Sequence, residues 1–357
     1  MSAVPSSGAL CRHFGICGGC AWQDMADDAY RIFKRDQVVQ ALAGLANVQI
    51  DEIVEIGPGT RRRAAFKVVK RGGLTQLGFH AAASHDIVDM LECRLLTPSL
   101  WALVPRLRAM MAALLDDGEK CELFVTETAN GPDLSIQWKR ASSPALIAEA
   151  ARQATALKLA RLTANGETLA TLAAPMTTFG KARVTLPPGS FLQPTEAGQA
   201  VLQARVAASV RGSKTLADLF AGCGTFALVL AQEARVHAVE QDRPSLDALE
   251  AAARATQGLK PVTTERRDLF RRPLTTAELA RFDAIVLDPP RAGAAAQSRE
   301  LAKSRVGRIA YVSCNPASFA RDARLLVEGG YAIGRVTPVD QFLWSSHIEL
   351  VAVFKRD

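Results

Sequence analysis

The C-terminal half of the chain repeats one pattern, and that pattern leaves few folds open. From about residue 176, short apolar runs ("TLADLF", "RVHAVE", "FDAIVLD", "RIAYVSC", "GYAIGRV" and "IELVAVF") alternate with stretches of helical apolar spacing ("TFALVLAQEA", "PSLDALEAAARAT" and "PASFARDARLLVEG"). Strands joined through helices pair in parallel, so the spacing predicts an α/β fold with a doubly wound, mostly parallel sheet covered on both faces. The last two runs have no helix between them, which predicts a closing antiparallel hairpin.

The upstream sequence reads differently. Strand-like "AAFKVVK", "LFVTET" and "DLSIQWK" mix with helical spacing at 98–115 and 143–158, an α+β arrangement. Before it, "DDAYRIFKRDQVVQALAGL" reads as an amphipathic helix behind a cysteine-rich loop. The expected division is therefore 1–46, 47–175 and 176–357, within reach of a 357-residue chain. No run approaches the roughly 18 apolar residues of a membrane helix. "MSAVPSSGAL" lacks the basic-then-apolar order of a signal peptide, so the expected location is cytoplasmic, with no membrane partner.

The net charge of +7 suits a polyanionic partner without requiring one. "TRRRAAFKVVKRGG" concentrates Arg61, Arg62, Arg63, Lys67, Lys70 and Arg71, and Arg266, Arg267, Arg271 and Arg272 form a second cluster. Either cluster is a candidate for phosphate contact or a solvated face.

Cys11, Cys17 and Cys20 lie in "CRHFGICGGC", a C-x5-C-x2-C loop, and Cys93 in "MLECRLL" is the candidate fourth ligand. In a cytoplasmic protein such spacing points to metal before disulfides. All-thiolate ligation suits zinc or an iron–sulfur cluster; three clustered cysteines with a distant fourth favour [4Fe–4S]. Four protein ligands close the site, which argues for a structural role. Cys121 has no such pattern around it and reads as a core residue.

"LADLFAGCGTFALVLA" ends a strand at Asp218 and Phe220, turns at Gly222 and Gly224 and opens a helix at Thr225; the next strand ends at Glu240. An acid so placed accepts hydrogen bonds from ribose hydroxyls. The third glycine of dinucleotide sites is missing, which favours S-adenosylmethionine over NAD. Asp268 follows a further strand, and Asp288 of "LDPPR" ends a fourth, at the edge where ligands bind in such sheets. Cys314 ends the next strand and projects over the same edge, where a nucleophile belongs and a packing cysteine gains nothing.

"DLFAGCGTF", "LDPPRAG", "VSCNPASFARD" and "HIELVAVF", in that order, resemble the motifs of the RNA uracil-C5 methyltransferase family. "LGFHAAASHDIVDMLECRLL" and "GSFLQPTEAG" extend the resemblance over nearly all of residues 11 to 355. It implies a class I methyltransferase fold and methylation of uridine C5 by S-adenosylmethionine. It implies Cys314 as the nucleophile adding to uracil C6 and Glu349 as the base removing the C5 proton. His347, two residues before Glu349, is read as a residue that orients the base or as a satisfied histidine. Cofactor contacts carried over are Gln193, Phe220, Thr225, Glu240, Asp268 and Asp288, with Asp288 also a contact for the flipped base. Cys223 is read as incidental. The resemblance further implies the [4Fe–4S] branch acting on 23S rRNA, as a monomer, with no DNA substrate. The chain starts close to Cys11, so the N-terminal TRAM barrel of some relatives is expected to be missing. Alternatives are a tRNA uracil-C5 methyltransferase, an amino-methyltransferase needing no cysteine, and a non-catalytic cluster-containing RNA-binding protein.

Overall fold

The computed structural model describes residues 11–356. Its larger sheet has nine strands. In spatial order they run Gln49–Ile50, Ala332–Asp340, Glu349–Lys355, Arg308–Ser313, Ala284–Leu287, Thr215–Leu219, Arg235–Glu240 and Val262–Arg266, and Val54–Glu55 also pairs with Ala332–Asp340. The strands from Arg308–Ser313 to Val262–Arg266 pair in parallel, as the alternation predicts. Glu349–Lys355 is antiparallel to both its neighbours, so the expected hairpin is present with its second strand inserted inward. Successive crossovers leave Thr215–Leu219 in opposite directions, toward Arg235–Glu240 and later toward Ala284–Leu287. That reversal opens a crevice at the carboxyl ends of the strands.

The flanking helices start where local chemistry dictates. Asp242 accepts the Ser245 N–H at 3.0 Å to cap Arg243–Ala255, and Asn315 accepts the Ala317 N–H at 3.1 Å to cap Pro316–Glu328. Each has proline at its start, where the missing N–H costs nothing. The helix expected over "TFALVLAQEA" shrinks to Ala227–Leu230. The glycine turn takes the first residues of that short connection, leaving room for one turn.

The division at 46/47 does not describe the packing. Gln49–Ile50 and Val54–Glu55 pair parallel with Ala332–Asp340. The helix Asp27–Leu42 buries Val38 and Leu42 among Tyr311, Phe319 and Leu326 of the C-terminal layers. "NVQIDEIVEI" is too short to reveal a parallel partner almost three hundred residues away.

The middle region is a seven-stranded sheet ordered Ile87–Asp89, Leu74–His80, Arg63–Arg71, Lys120–Thr126, Asp133–Trp138, Arg161–Ala164 and Glu167–Thr171. Its core is shared with helices Pro98–Leu114 and Pro144–Leu157. The basic stretch beginning at Arg61 is largely consumed inside the protein. Arg62 is buried, donating to Gln193 O at 3.0 Å and Gln199 Oε1 at 2.7 Å, and Arg63 donates to Leu192 O at 2.6 Å. Lys70 covers the Ala112 and Leu115 carbonyls at the end of Pro98–Leu114, and Lys67 pairs with Glu122. Arg62 and Arg63 tie the middle sheet to the segment before Glu196–Ser209, Lys70 caps a helix and Lys67 pairs within its own sheet, which leaves Arg71 exposed. No helix among the described residues is long and apolar enough to cross a membrane.

Candidate active site

A cavity of about 590 Å³ occupies the crevice at the carboxyl edge of the larger sheet. Successive strand ends deliver its key side chains: Phe220, Glu240, Asp288, Cys314 and, at the start of an antiparallel strand, Glu349. Gln193 and Thr225 complete the predicted residues that line it. Asp268 does not. Its carboxylate accepts the Phe270 N–H at 2.9 Å and the Arg271 N–H at 3.3 Å, and so is spent on closing that turn. Leu269 and Phe270 face the cavity in its place.

The turn after Thr215–Leu219 is built for close approach. Phe220 holds φ 65, a strained value for a non-glycine residue. Gly224 holds φ 96, and a Cβ there would stand 2.9 Å from Leu228, so no side chain fits. Glu240 accepts the Gly222 N–H at 3.1 Å and the Gln241 and Asp242 N–H groups at 2.7 and 2.9 Å, which fixes its carboxylate beside the turn. The rings of Phe220 and Phe270 pack on each other at 5.4 Å and give the cavity an apolar wall. Turn, acid and aromatic wall together suit a nucleoside bearing a charged tail.

Deeper in, buried acids surround the thiol. Burial pushes Asp288 up to about 7. Burial, with the Asp288 charge second, pushes Glu349 up to about 8. Cys314 is pushed up to about 11 by burial and then by the charges of Glu349 and Asp288, with Arg291 acting the other way. Asp218 lies just behind, fully buried, with no well-aligned hydrogen bond to its carboxylate among the described residues; burial and then Asp288 raise it well above the usual range, with the Ala227 N–H acting the other way.

Several site residues carried no sequence signal. Gln341 donates to Gln193 Oε1 at 2.7 Å and hydrogen-bonds the Glu349 carboxylate, linking the loop before the helix Glu196–Ser209 to the acid that opens Glu349–Lys355. Phe191 stands exposed at the lip, with the Arg63 guanidinium 4.9 Å from its ring centroid. An exposed phenylalanine in "GSFLQPT" was the one available clue to that wall. His347 is not on a strand with Glu349, because the strand begins at Glu349 itself. Its ring packs on Phe342 at 5.7 Å, so the reading of it as an orienter of the base has no contact behind it.

Cys11, Cys17, Cys20 and Cys93 are all free thiols, half-buried, and electrostatically in reach of one another. Cys20 is pushed up to about 12 by burial, with Cys93, Cys17 and Cys11 adding to it. The Gly19 N–H points at Cys17 Sγ at 3.5 Å, and the Leu95 and Leu96 amides act on Cys93. Among the described residues, no three such side chains are drawn together closely enough to hold a single metal ion.

Known proteins place this geometry. A family profile described as tRNA (Uracil-5-)-methyltransferase matches residues 181–357. An uncharacterized RNA methyltransferase of Brucella melitensis is 46% identical over 351 residues, spanning 97% of this chain and 84% of its own length. The 23S rRNA (uracil(1939)-C(5))-methyltransferase RlmD of Salmonella paratyphi A is 33% identical over 365 residues, spanning 97% of this chain and 81% of its own. The crystal structure of the Pyrococcus abyssi tRNA (uracil-54, C5)-methyltransferase with S-adenosyl-L-homocysteine shares the fold, with a TM-score of 0.74 at 21% identity over 95% of this chain and 86% of that one. The chain belongs to the S-adenosylmethionine-dependent RNA uracil-C5 methyltransferase family.

Proposed function

We propose that the protein methylates C5 of a uridine in 23S rRNA through a covalent adduct on Cys314. The observation that carries the reading is the shared cavity: a thiol and a buried carboxylate face it from adjacent strand ends, beside a glycine turn with a ribose-ready acid. The choice of 23S rRNA rests on the 33% identity to the Salmonella enzyme of that name.

Uracil C5 is too electron-poor to take a methyl group directly. Cys314, as thiolate, forms a bond from Sγ to C6, and the C5–C6 π pair moves into an enolate. When bound, S-adenosylmethionine would supply an electrophilic methyl group on a cationic sulfur, which C5 would take with the enolate pair while the methyl–sulfur bond pair stays on sulfur and S-adenosylhomocysteine leaves. Glu349, as carboxylate, then removes the C5 proton; the C–H pair restores the double bond and the C6–S pair returns to Cys314. Asp288 lines the reacting end, and Phe191 offers the base a face to stack on as it leaves its helix. Gln193, Phe220, Thr225 and Glu240 are the cofactor contacts this reading assigns.

Cys11, Cys17, Cys20 and Cys93 fit a [4Fe–4S] cluster by donor chemistry. Burial makes Cys17, Cys20 and Cys93 resist ionisation, so thiols grouped here gain from a shared cationic centre, and backbone N–H groups already face two of the sulfurs. Bound there, the cluster would cross-link the N-terminal loop to the Cys93 segment.

Mass mapping of 5-methyluridine in ribosomal and transfer RNA from a deletion strain tests the substrate. Loss of a 23S mark is expected; loss confined to tRNA reverses that assignment. A stable adduct with 5-fluorouridine RNA tests the chemistry, because fluorine cannot leave as a proton. No adduct would favour an amino-methyltransferase or a non-catalytic binder.

A further inference from the structure

The helix Asp27–Leu42 carries a lysine that the reaction does not use and that a surface helix has no reason to bury. Lys34 has 0% of its side chain exposed, and all three ammonium hydrogens have acceptors. They are Asp340 Oδ1 at 3.0 Å, Ser345 O at 2.8 Å and His347 O at 2.5 Å. One turn earlier on the same helix, the Tyr30 hydroxyl donates to Asp340 Oδ2 at 2.6 Å and accepts the Trp344 N–H at 2.7 Å. Trp344 holds φ 60, so its backbone stays strained only while such contacts hold it. The Ala21 N–H, next to Cys20, donates to the Trp344 carbonyl at 2.7 Å.

Asp340 ends the strand Ala332–Asp340, and the Trp344, Ser345 and His347 groups gripped here belong to the loop that joins it to Glu349–Lys355. That loop carries Gln341, which touches both Gln193 and Glu349, and it feeds directly into Glu349. Loop carbonyls held by water would leave the carboxylate free to swing away from C5. A buried ammonium with no spare hydrogen sets them in one place.

We propose that Lys34 is a positioning residue for Glu349, so that the cysteine-bearing N-terminal segment orients the base that removes the C5 proton. The proposal rests on the reading of Glu349 as that base. Proton removal follows methyl transfer, so a misplaced base has a distinct signature. The adduct forms at its normal rate on ordinary uridine RNA but is released slowly and accumulates. A purely structural role would lower adduct formation and turnover together.

The test compares the full-length enzyme with Lys34→Met and with Lys34→Met/Asp340→Asn. The double variant removes the uncompensated Asp340 charge that could unfold the single one, yet leaves the Ser345 and His347 carbonyls unheld. Lys34→Arg serves as the conservative partial rescue. With S-adenosylmethionine and uridine RNA, kcat should fall about tenfold or more, with KM for RNA falling in step so that kcat/KM is kept. A denaturation-resistant protein–RNA band should appear that the wild type lacks. Equal loss of adduct and turnover in the double variant, or no loss, overturns the proposal. Wild-type enzyme that forms no adduct on 5-fluorouridine RNA would instead overturn the reading of the mechanism, so the two failures are separable.

Discussion

Cys314 and Glu349 stand opposite each other one step beyond the last rung of the ladder between Arg308–Ser313 and Glu349–Lys355. That rung pairs Ser313 with Leu350, and the two residues just past it line the same cavity. Two strands that are far apart in sequence thus deliver a nucleophile and an acid to one spot, with backbone hydrogen bonds fixing their separation.

Replacing the thiol tests the first half of the pair. Cys314→Ala removes the only group proposed to activate C5, and methyl transfer to RNA should fall by at least about 10³-fold. The side chain is half-exposed, so thermal stability should change little. Retained transfer of labelled methyl groups would remove the covalent route.

Glu349→Gln tests the second half. Turnover should drop by about 10²–10⁴-fold while the adduct still forms, giving a slow-migrating protein–RNA band with unmodified uridine substrate. An adduct yield that falls in step with turnover would assign Glu349 to an earlier event.

The pH dependence follows from the same burial. Glu349 sits at about 8 against an ordinary 4.5, and Asp288 at about 7 against 3.8. A base must be ionised and this one acts after methyl transfer, so kcat should fall about tenfold per pH unit below 8. Stability runs the opposite way. Groups raised on folding favour the folded state fully below their ordinary values and lose that contribution as pH rises through 7 and 8. The unliganded protein should therefore melt lower at pH 8.5 than at pH 5.5, and Glu349→Gln should recover roughly 5 °C of the difference. Melting curves across this range decide it.

Arg62 separates the two readings of the basic stretch. It is 4% exposed and bonds Gln193, Glu196 and Gln199 across the junction between the sheets. Arg62→Met should destabilise by about 2–4 kcal/mol in chemical unfolding and leave the salt dependence of RNA binding unchanged. A shallower salt slope with intact stability would return Arg62 to the RNA surface.

Iron analysis tests the cysteine set. Protein purified without oxygen should contain iron and acid-labile sulfide in equal amounts, and Cys93→Ser should lower both. Zinc in place of iron would keep the ligands and change the centre.

The strand–helix alternation made the C-terminal sheet legible, because its period changes cleanly between runs such as "RIAYVSC" and "PASFARDARLLVEG". The glycine turn and the strand-end acids were legible for a related reason, since chemistry at a strand end leaves polar letters in an apolar run. Arg61 to Arg63 misled, because a string of charges does not say whether carbonyls lie waiting on another domain. Asp268 misled in the same manner: an aspartate after a strand closes a turn as readily as it meets a ligand. Gln341, Lys34 and the strands near residue 50 left no trace, since each acts through a partner far away in the chain.

The strand that begins at Glu349 is inserted between two strands made before it, Arg308–Ser313 and Ala332–Asp340. Until it arrives, a growing chain has a gap in the middle of its sheet, with two bare hydrogen-bonding edges facing each other. Residues after 348 are thus the keystone of folding as well as the source of an acid. A nascent chain shortened there would display two sticky flanks to its neighbours rather than one frayed margin.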